Sequence, residues 1–223
     1  MVRSRRRLVT HLSCAMVSAA CITGLHAVFA DIRPIRAFAW SVATAQVSLL
    51  WFLAATVIGP ARVLDGRSVP IHIDLRRDVG IWAGLLAIVH VGFGIQVHVG
   101  GDMVGYFLLR ASPGAPLLPR HDLFGVLSYL GLIATLIIVM LLAISNDAAL
   151  ARLGAVRWKQ LQRLSYIALG ATVLHGVPLQ VMEKRHAGII VATAVAVSAT
   201  MAVQVLARRR RRFEIAPQSP REP

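Results

Sequence analysis

The sequence predicts an all-α membrane protein, a six-transmembrane-helix bundle with both termini in the cytoplasm. Three observations carry this. Of 223 residues, 57% are hydrophobic and 15% charged, against about 45–50% and 25% in soluble domains. The excess gathers into six runs, each near the roughly 20 residues needed to cross hydrocarbon. The basic residues fall at the ends of those runs, unequally on the two sides. This composition excludes a soluble enzyme and a disulfide-stapled secreted fold. The formal charge of +14 does not mark a nucleic-acid binder, because the cations punctuate the apolar runs instead of forming one basic face.

The first run, Leu8–Ala30, follows Arg5-Arg6-Arg7 and ends in Val28-Phe29-Ala30. That ending also suits a signal peptide. At about 22 residues, however, the run exceeds the usual 7–15-residue signal core, so a retained helix is expected. Cys14 and Cys21 lie inside it without a C-x-x-C-H pattern, so covalent c-type haem attachment is not expected. They read as small lipid- or helix-facing residues. The second run, Ala37–Ile58, meets the turn formers Gly59-Pro60, and the third spans Val79–Val99. Ser112-Pro113-Gly114 precedes the fourth, Leu123–Ile144. Ser145-Asn146-Asp147 and a basic stretch precede the fifth, Leu164–Val181. The sixth is Ala187–Ala207. There is no internal repeat, so residues 1–212 read as a single domain. The polar, Pro-containing tail 213–223 is expected to be disordered.

Charge orients the bundle. The N-terminus (Arg3, Arg5, Arg6, Arg7), the second loop (Arg62, Arg67, Arg76, Arg77), the fourth loop (Arg152, Arg157, Lys159, Arg163) and the tail (Arg208 to Arg212, and Arg221) hold 18 basic residues. The opposite loops hold six: Arg33, Arg36, Arg110, Arg120, Lys184 and Arg185. The expected location is a bacterial inner membrane, with the 18 on the cytoplasmic side.

An ionisable side chain deep in a span is costly and is by default a functional hypothesis. Two histidines qualify: His90 in the third run and His175 in the fifth. His90 stands twelve residues past Asp78, and His175 twelve past Arg163, so each lies roughly 18 Å from the inner boundary. At equal depth on parallel helices, the two can face one space. Imidazole is a favoured axial ligand of haem iron, and a haem fills a bundle core with apolar surface. The bland reading, two packing histidines bonded to neighbouring hydroxyls or carbonyls, stays open on depth alone.

The residues around these histidines carry a resemblance. Arg76-Arg77-Asp78-Val79-Gly80-Ile81-Trp82, followed by His90, resembles the opening of the first haem helix in the ferric reductase-like transmembrane family. Arg152-Leu153-Gly154, Arg157-Trp158-Lys159-Gln160-Leu161-Gln162-Arg163-Leu164, Tyr166 and His175 resemble its second haem helix. Within that family, the haem-binding membrane subunits of bacterial periplasmic methionine sulfoxide reductase systems are the most similar. The resemblance covers residues 37–178. It implies b-type haem held by His90 and His175 between the third and fifth spans, in an electron-transfer subunit serving a periplasmic reductase partner. The sequence departs from the family at Gln162, where a histidine is usual. Gln162 lies roughly 20 Å below His175, and only Arg76 and Arg77 stand at that level on the third helix. One haem per chain is therefore expected.

His98, eight residues past His90, is open to three readings: a substitute ligand, a propionate partner or an interfacial residue. Arg110, Arg120 and His121 are either propionate partners or loop residues. His11 and His26, near the ends of the first run, and His72 and His186 are given no role. Trp51, Trp82 and Trp158 read as packing or interfacial anchors. Arg76, Arg77 and Arg157 read as topology markers in contact with lipid phosphate.

No G-x-G-x-x-G nucleotide loop is present, and the residues after the sixth run hold no flavin or nicotinamide domain. Electrons are therefore expected from quinol or a separate flavin reductase. FMN or a quinone as a further cofactor is left unspecified by the residues. The alternatives are a membrane ferric-chelate reductase and a haem-free transporter or scaffold. The absence of charged midplane residues other than histidine disfavours a transporter.

Overall fold

The computed structural model describes residues 2–30, 35–66, 73–110, 112–183 and 187–215. Arg33, Arg67, His72, Lys184, Arg185, His186 and residues 216–223 lie outside these. The chain forms α1 (Val2–Phe29), α2 (Arg36–Leu64), α3 (Ile73–Gly94), a 3-10 turn (Val99–Gly101) and α4 (Met103–Phe107). A small hairpin of β1 (Leu108–Arg110) and β2 (Leu117–Pro119) follows. The chain then continues as α5 (Leu123–Ala143), α6 (Asp147–Gln162), α7 (Leu164–Met182) and α8 (Ala187–Ile215). Six helical stretches are long and apolar enough to cross a membrane, in agreement with the six runs.

α2 is the central helix, packed against α1, α3 and α8, while α5 packs chiefly on α7 and also touches α3. Three buried clusters tie these together. Phe29, Phe38, Ala39, Val42 and Val97 join α1, α2 and the segment after α3. Cys14, Ala55 and Val79 join α1, α2 and α3. Phe52, Ala83 and Ala168 join α2, α3 and α7. Cys14 is buried and Cys21 exposed, and both are free thiols.

Several boundaries differ from expectation, each for a local reason. α2 does not stop at Gly59-Pro60 but runs through Pro60 to Leu64. Proline removes the N–H that would bond the residue 56 carbonyl, and Gln204 Nε2 of α8 donates to that Thr56 carbonyl at 2.8 Å instead. α3 begins earlier than expected, with Asp74 in its first turn suiting the helix dipole. It ends at Gly94, five residues short of the expected Val99, so His98 is not on this helix. Tight turns at Ile95, Gln96 and Val97 close it. His98 itself is extended (φ −115°, ψ 158°). The fourth loop is helical: Asn146 caps α6 by accepting from the Ala149 N–H at 2.8 Å, and Gly154 (φ +72°) breaks it midway. The run Arg208 to Arg212, good helix formers, continues α8 to Ile215, where disorder had been expected from residue 213.

Asp78 on α3 is 1% exposed and binds Arg7 of α1 at 2.7 Å, with His11 Nε2 at 3.4 Å. Trp82 Nε1 donates to His11 Nδ1 at 3.1 Å. The residue preceding Asp78, Arg77, is buried and pairs with Asp147 at the start of α6, so it does not reach lipid phosphate as expected. Trp158 Nε1 donates to the Ile144 carbonyl, folding α6 back onto the end of α5. These contacts organise the end of the bundle opposite the hairpin.

Candidate functional site

His90 lies nearly five turns into α3, half-buried against α2. Its Nδ1 stands 2.9 Å from the Ser41 carbonyl of α2 and 3.2 Å from the Ser41 hydroxyl. A carbonyl only accepts, so Nδ1 carries the proton in the neutral ring and Nε2 carries the lone pair. Gly94, one turn on, leaves the ring room: a Cβ there would lie 3.7 Å from His90 Cε1.

His175 on α7 repeats the arrangement. Its Nδ1 is 2.7 Å from the Leu127 carbonyl of α5, which again makes Nε2 the basic nitrogen. Gly131, one turn further along α5, lies against the ring. A Cβ at Gly131 would come within 2.8 Å of both Cε1 and Nδ1 of His175, so only glycine admits the ring in this position.

Ala83 and Ala168, which share a buried cluster with Phe52, precede His90 and His175 by seven residues each. Seven residues are nearly two full helical turns, about 20° short of them. The faces that carry Ala83 and Ala168 toward their common cluster therefore carry His90 and His175 two turns further along. Thr172, one turn before His175 on the same face, has a buried Oγ1 without a hydrogen-bond partner. Each ring is bonded to a different neighbour, His90 to α2 and His175 to α5.

Beyond the histidines, the chain folds into a compact cap. Tyr106 Oη donates to the Gly94 carbonyl at 2.6 Å and accepts from the His98 N–H at 3.1 Å. Burial pushes the Tyr106 phenol above its ordinary value, so it remains a donor. The His98 ring meets Phe124 edge-on, with centroids 5.1 Å apart, and its Nε2 lies 2.8 Å from Glu183 Oε1 at the end of α7.

The other outer candidates are committed within the loop. Arg120 donates to both carboxylate oxygens of Asp122 (2.9 and 2.5 Å) and to the Gly105 carbonyl at 2.9 Å. Its guanidinium lies 4.8 Å from the Phe124 ring centroid. That guanidinium holds the Asp122 carboxyl at about 2, below its usual range. Arg110 donates to the Ala115 carbonyl, and His121 is exposed. Nothing here directs Arg110, Arg120 or His121 at the histidine pair.

At the other level, the Gln162 side chain has a buried Nε2 without a partner. His26 packs on Trp40 and His11 on Asp78, while the Trp51 indole donates to Ser18. Among the described residues, no group of three or more His, Cys, Asp or Glu side chains gathers in metal-binding geometry. Sequence reasoning missed Ser41, Leu127, Gly131 and Glu183. For Glu183 a signal existed: it follows His175 by eight residues, as His98 follows His90.

The donor set suits haem. Each ring is fixed through Nδ1 on a backbone carbonyl as metal-bound histidines commonly are, which would make Nε2 the nitrogen to hold iron, and a buried hydroxyl lies one turn from His175. No protein-family model matches the chain, and no solved structure matches it.

Proposed function

We propose that this chain is a membrane electron-transfer subunit that binds one b-type haem between α3 and α7, where His90 and His175 would hold it. The observation that carries the reading is the repeated second contact: each histidine is held through Nδ1 by a carbonyl of the neighbouring helix, Ser41 for one and Leu127 for the other. Such contacts fix tautomer and ring orientation and raise ligand basicity. The same contact on both helices leaves the same nitrogen, Nε2, as the basic one on each ring.

When bound, haem supplies a one-electron iron couple. The chain's residues do the rest. His90 and His175 would hold the iron through two imidazoles, which would favour outer-sphere electron transfer over oxygen chemistry. Ser41 and Leu127 hold the rings, and Gly131 admits one of them. Phe52, Ala83 and Ala168 close the inner side with apolar surface.

In this reading both termini are cytoplasmic, the membrane is a bacterial inner membrane, and the haem lies toward the outer leaflet. Quinol or a separate flavin reductase supplies the electrons. A periplasmic reductase partner takes them up, and the family resemblance makes repair of oxidised methionine its function. The test is a reduced-minus-oxidised spectrum of the purified chain with haem stoichiometry. Low-spin b-type bands at about one haem per chain are expected, and a chain purified from haem-replete cells without any haem overturns the proposal.

A further inference from the structure

The helices bearing His90 and His175 are joined on both sides of the histidine level, and the outer joint is polar. Inward, seven residues before each histidine, Ala83 and Ala168 share the Phe52 cluster. Outward, eight residues after each, His98 Nε2 and Glu183 Oε1 stand 2.8 Å apart. The Glu183 side chain is only 6% exposed. A carboxylate buried to that degree is stable only when paired, and breaking such a pair by removing one partner is costly.

Each member of the pair is anchored to its own helix end. Glu183 terminates α7, its N–H bonded to the Leu179 carbonyl at 2.9 Å. His98 is tied to the end of α3 through Tyr106, which links its N–H to the Gly94 carbonyl. Phe124 at the start of α5 backs the imidazole. Movement of α3 away from α7 therefore strains the Tyr106 link and the His98–Glu183 contact.

We infer that His98 and Glu183 are positioning residues, an outer clasp that fixes the separation of the two ligand-bearing helices. His98 thereby acts through the chain's own carboxylate, neither as an iron ligand nor as a propionate partner. The inference rests on the haem reading above for its consequence but not for the contact.

The experiment uses the full chain in nanodiscs and has two arms. In the first, His98→Gln and Glu183→Gln are compared with the reciprocal pair His98→Glu with Glu183→His, reading the low-spin electron paramagnetic resonance signal and haem transfer to excess apomyoglobin. Each single variant is expected to broaden the low-spin signal and to release haem roughly tenfold faster, the scale of supporting-contact losses at metal sites. The reciprocal pair is expected to restore both. Wild-type spectra and release rates in both single variants overturn the clasp, as does failure of the reciprocal pair in a chain that keeps its helical content. In the second arm, His98→Cys with Glu183→Cys, in a chain carrying Cys14→Ser and Cys21→Ser, is treated with a short bifunctional thiol reagent and cut in the α5–α6 connection. Fragments that stay joined support the contact whether or not haem is bound, and fragments that separate overturn it. Joined fragments from a chain that never binds haem refute the haem reading, and the positioning role with it, while leaving the contact standing.

Discussion

Gln204 of α8 donates to the Thr56 carbonyl of α2 at 2.8 Å, the acceptor that Pro60 leaves without its helical donor. A proline near the end of a span is thereby carried by a side chain 148 residues away. Replacing Gln204 by Leu should cost about 1 kcal/mol, within the range measured for interhelical hydrogen bonds in membranes. In a Pro60→Ala background the same replacement should cost nothing, because the restored N–H bonds Thr56 directly. Thermal unfolding in detergent of the four chains completes the cycle; equal losses in both backgrounds would show that the Gln204 bond does not compensate for the proline.

His90→Ala and His175→Ala should each lose haem or leave it five-coordinate and high-spin, by removing one imidazole from the iron. Pyridine haemochrome on the unaltered chain should give about one haem. Gln162→His should not add a second, since Arg76 and Arg77 occupy the level opposite it. Two haems in the unaltered chain would require a site that this arrangement lacks.

Gly131→Ala places a methyl group within 2.8 Å of the His175 ring, which is held on its other side by the Leu127 carbonyl. Overpacking of this kind costs about 1–3 kcal/mol. Because the displaced group is the ligand, haem retention should fall more than thermal stability does. Gly84→Ala overpacks the Leu142 side chain by a similar amount (2.7–2.8 Å), with no histidine among its nearest atoms, and serves as the control. Equal haem retention in the two variants would count against a ligand role for His175.

A reporter active only in the periplasm, fused after Arg212, should be inactive. Strong activity would invert the bundle and put the histidine pair nearer the cytoplasm.

Asp122 caps α5 by accepting the Gly125 N–H at 3.2 Å and is bonded by Arg120, which lowers its carboxyl to about 2. A depressed carboxyl contributes order that is complete above its unfolded value and is lost as pH falls toward the folded one. The Arg120–Asp122 contact should thus persist from neutral pH down to about 2. Arg120→Gln should return the carboxyl toward 3.8. Carbon NMR of the labelled side chain reads both values.

Much of the fold was legible because lipid leaves a chain few options. The runs from Leu123 and from Leu164 match α5 and α7 nearly to the residue. The errors fell where single residues act through distant partners. Pro60 reads as a stop until Gln204 is seen beside Thr56. Val99 reads as the end of a span, although the turns after Gly94 close the helix sooner and put His98 in a loop. Depth singled out His90 and His175, and heptad spacing relates them to Ala83 and Ala168. No local pattern identifies the Ser41 and Leu127 carbonyls as their partners, because backbone acceptors leave no mark in a sequence.

The burial of Asp78 beside Arg7 has a consequence for biosynthesis. The two are 71 residues apart, so at 5–20 residues per second the ribosome makes Asp78 about 4 to 14 s after Arg7. A buried carboxylate without its cation is costly, and the cation that pairs Asp78 belongs to the first helix made. The α1–α3 contact is therefore completed only after α3 emerges, and until then Asp78 has water as its partner. Helix order in this protein is a timetable as well as a topology.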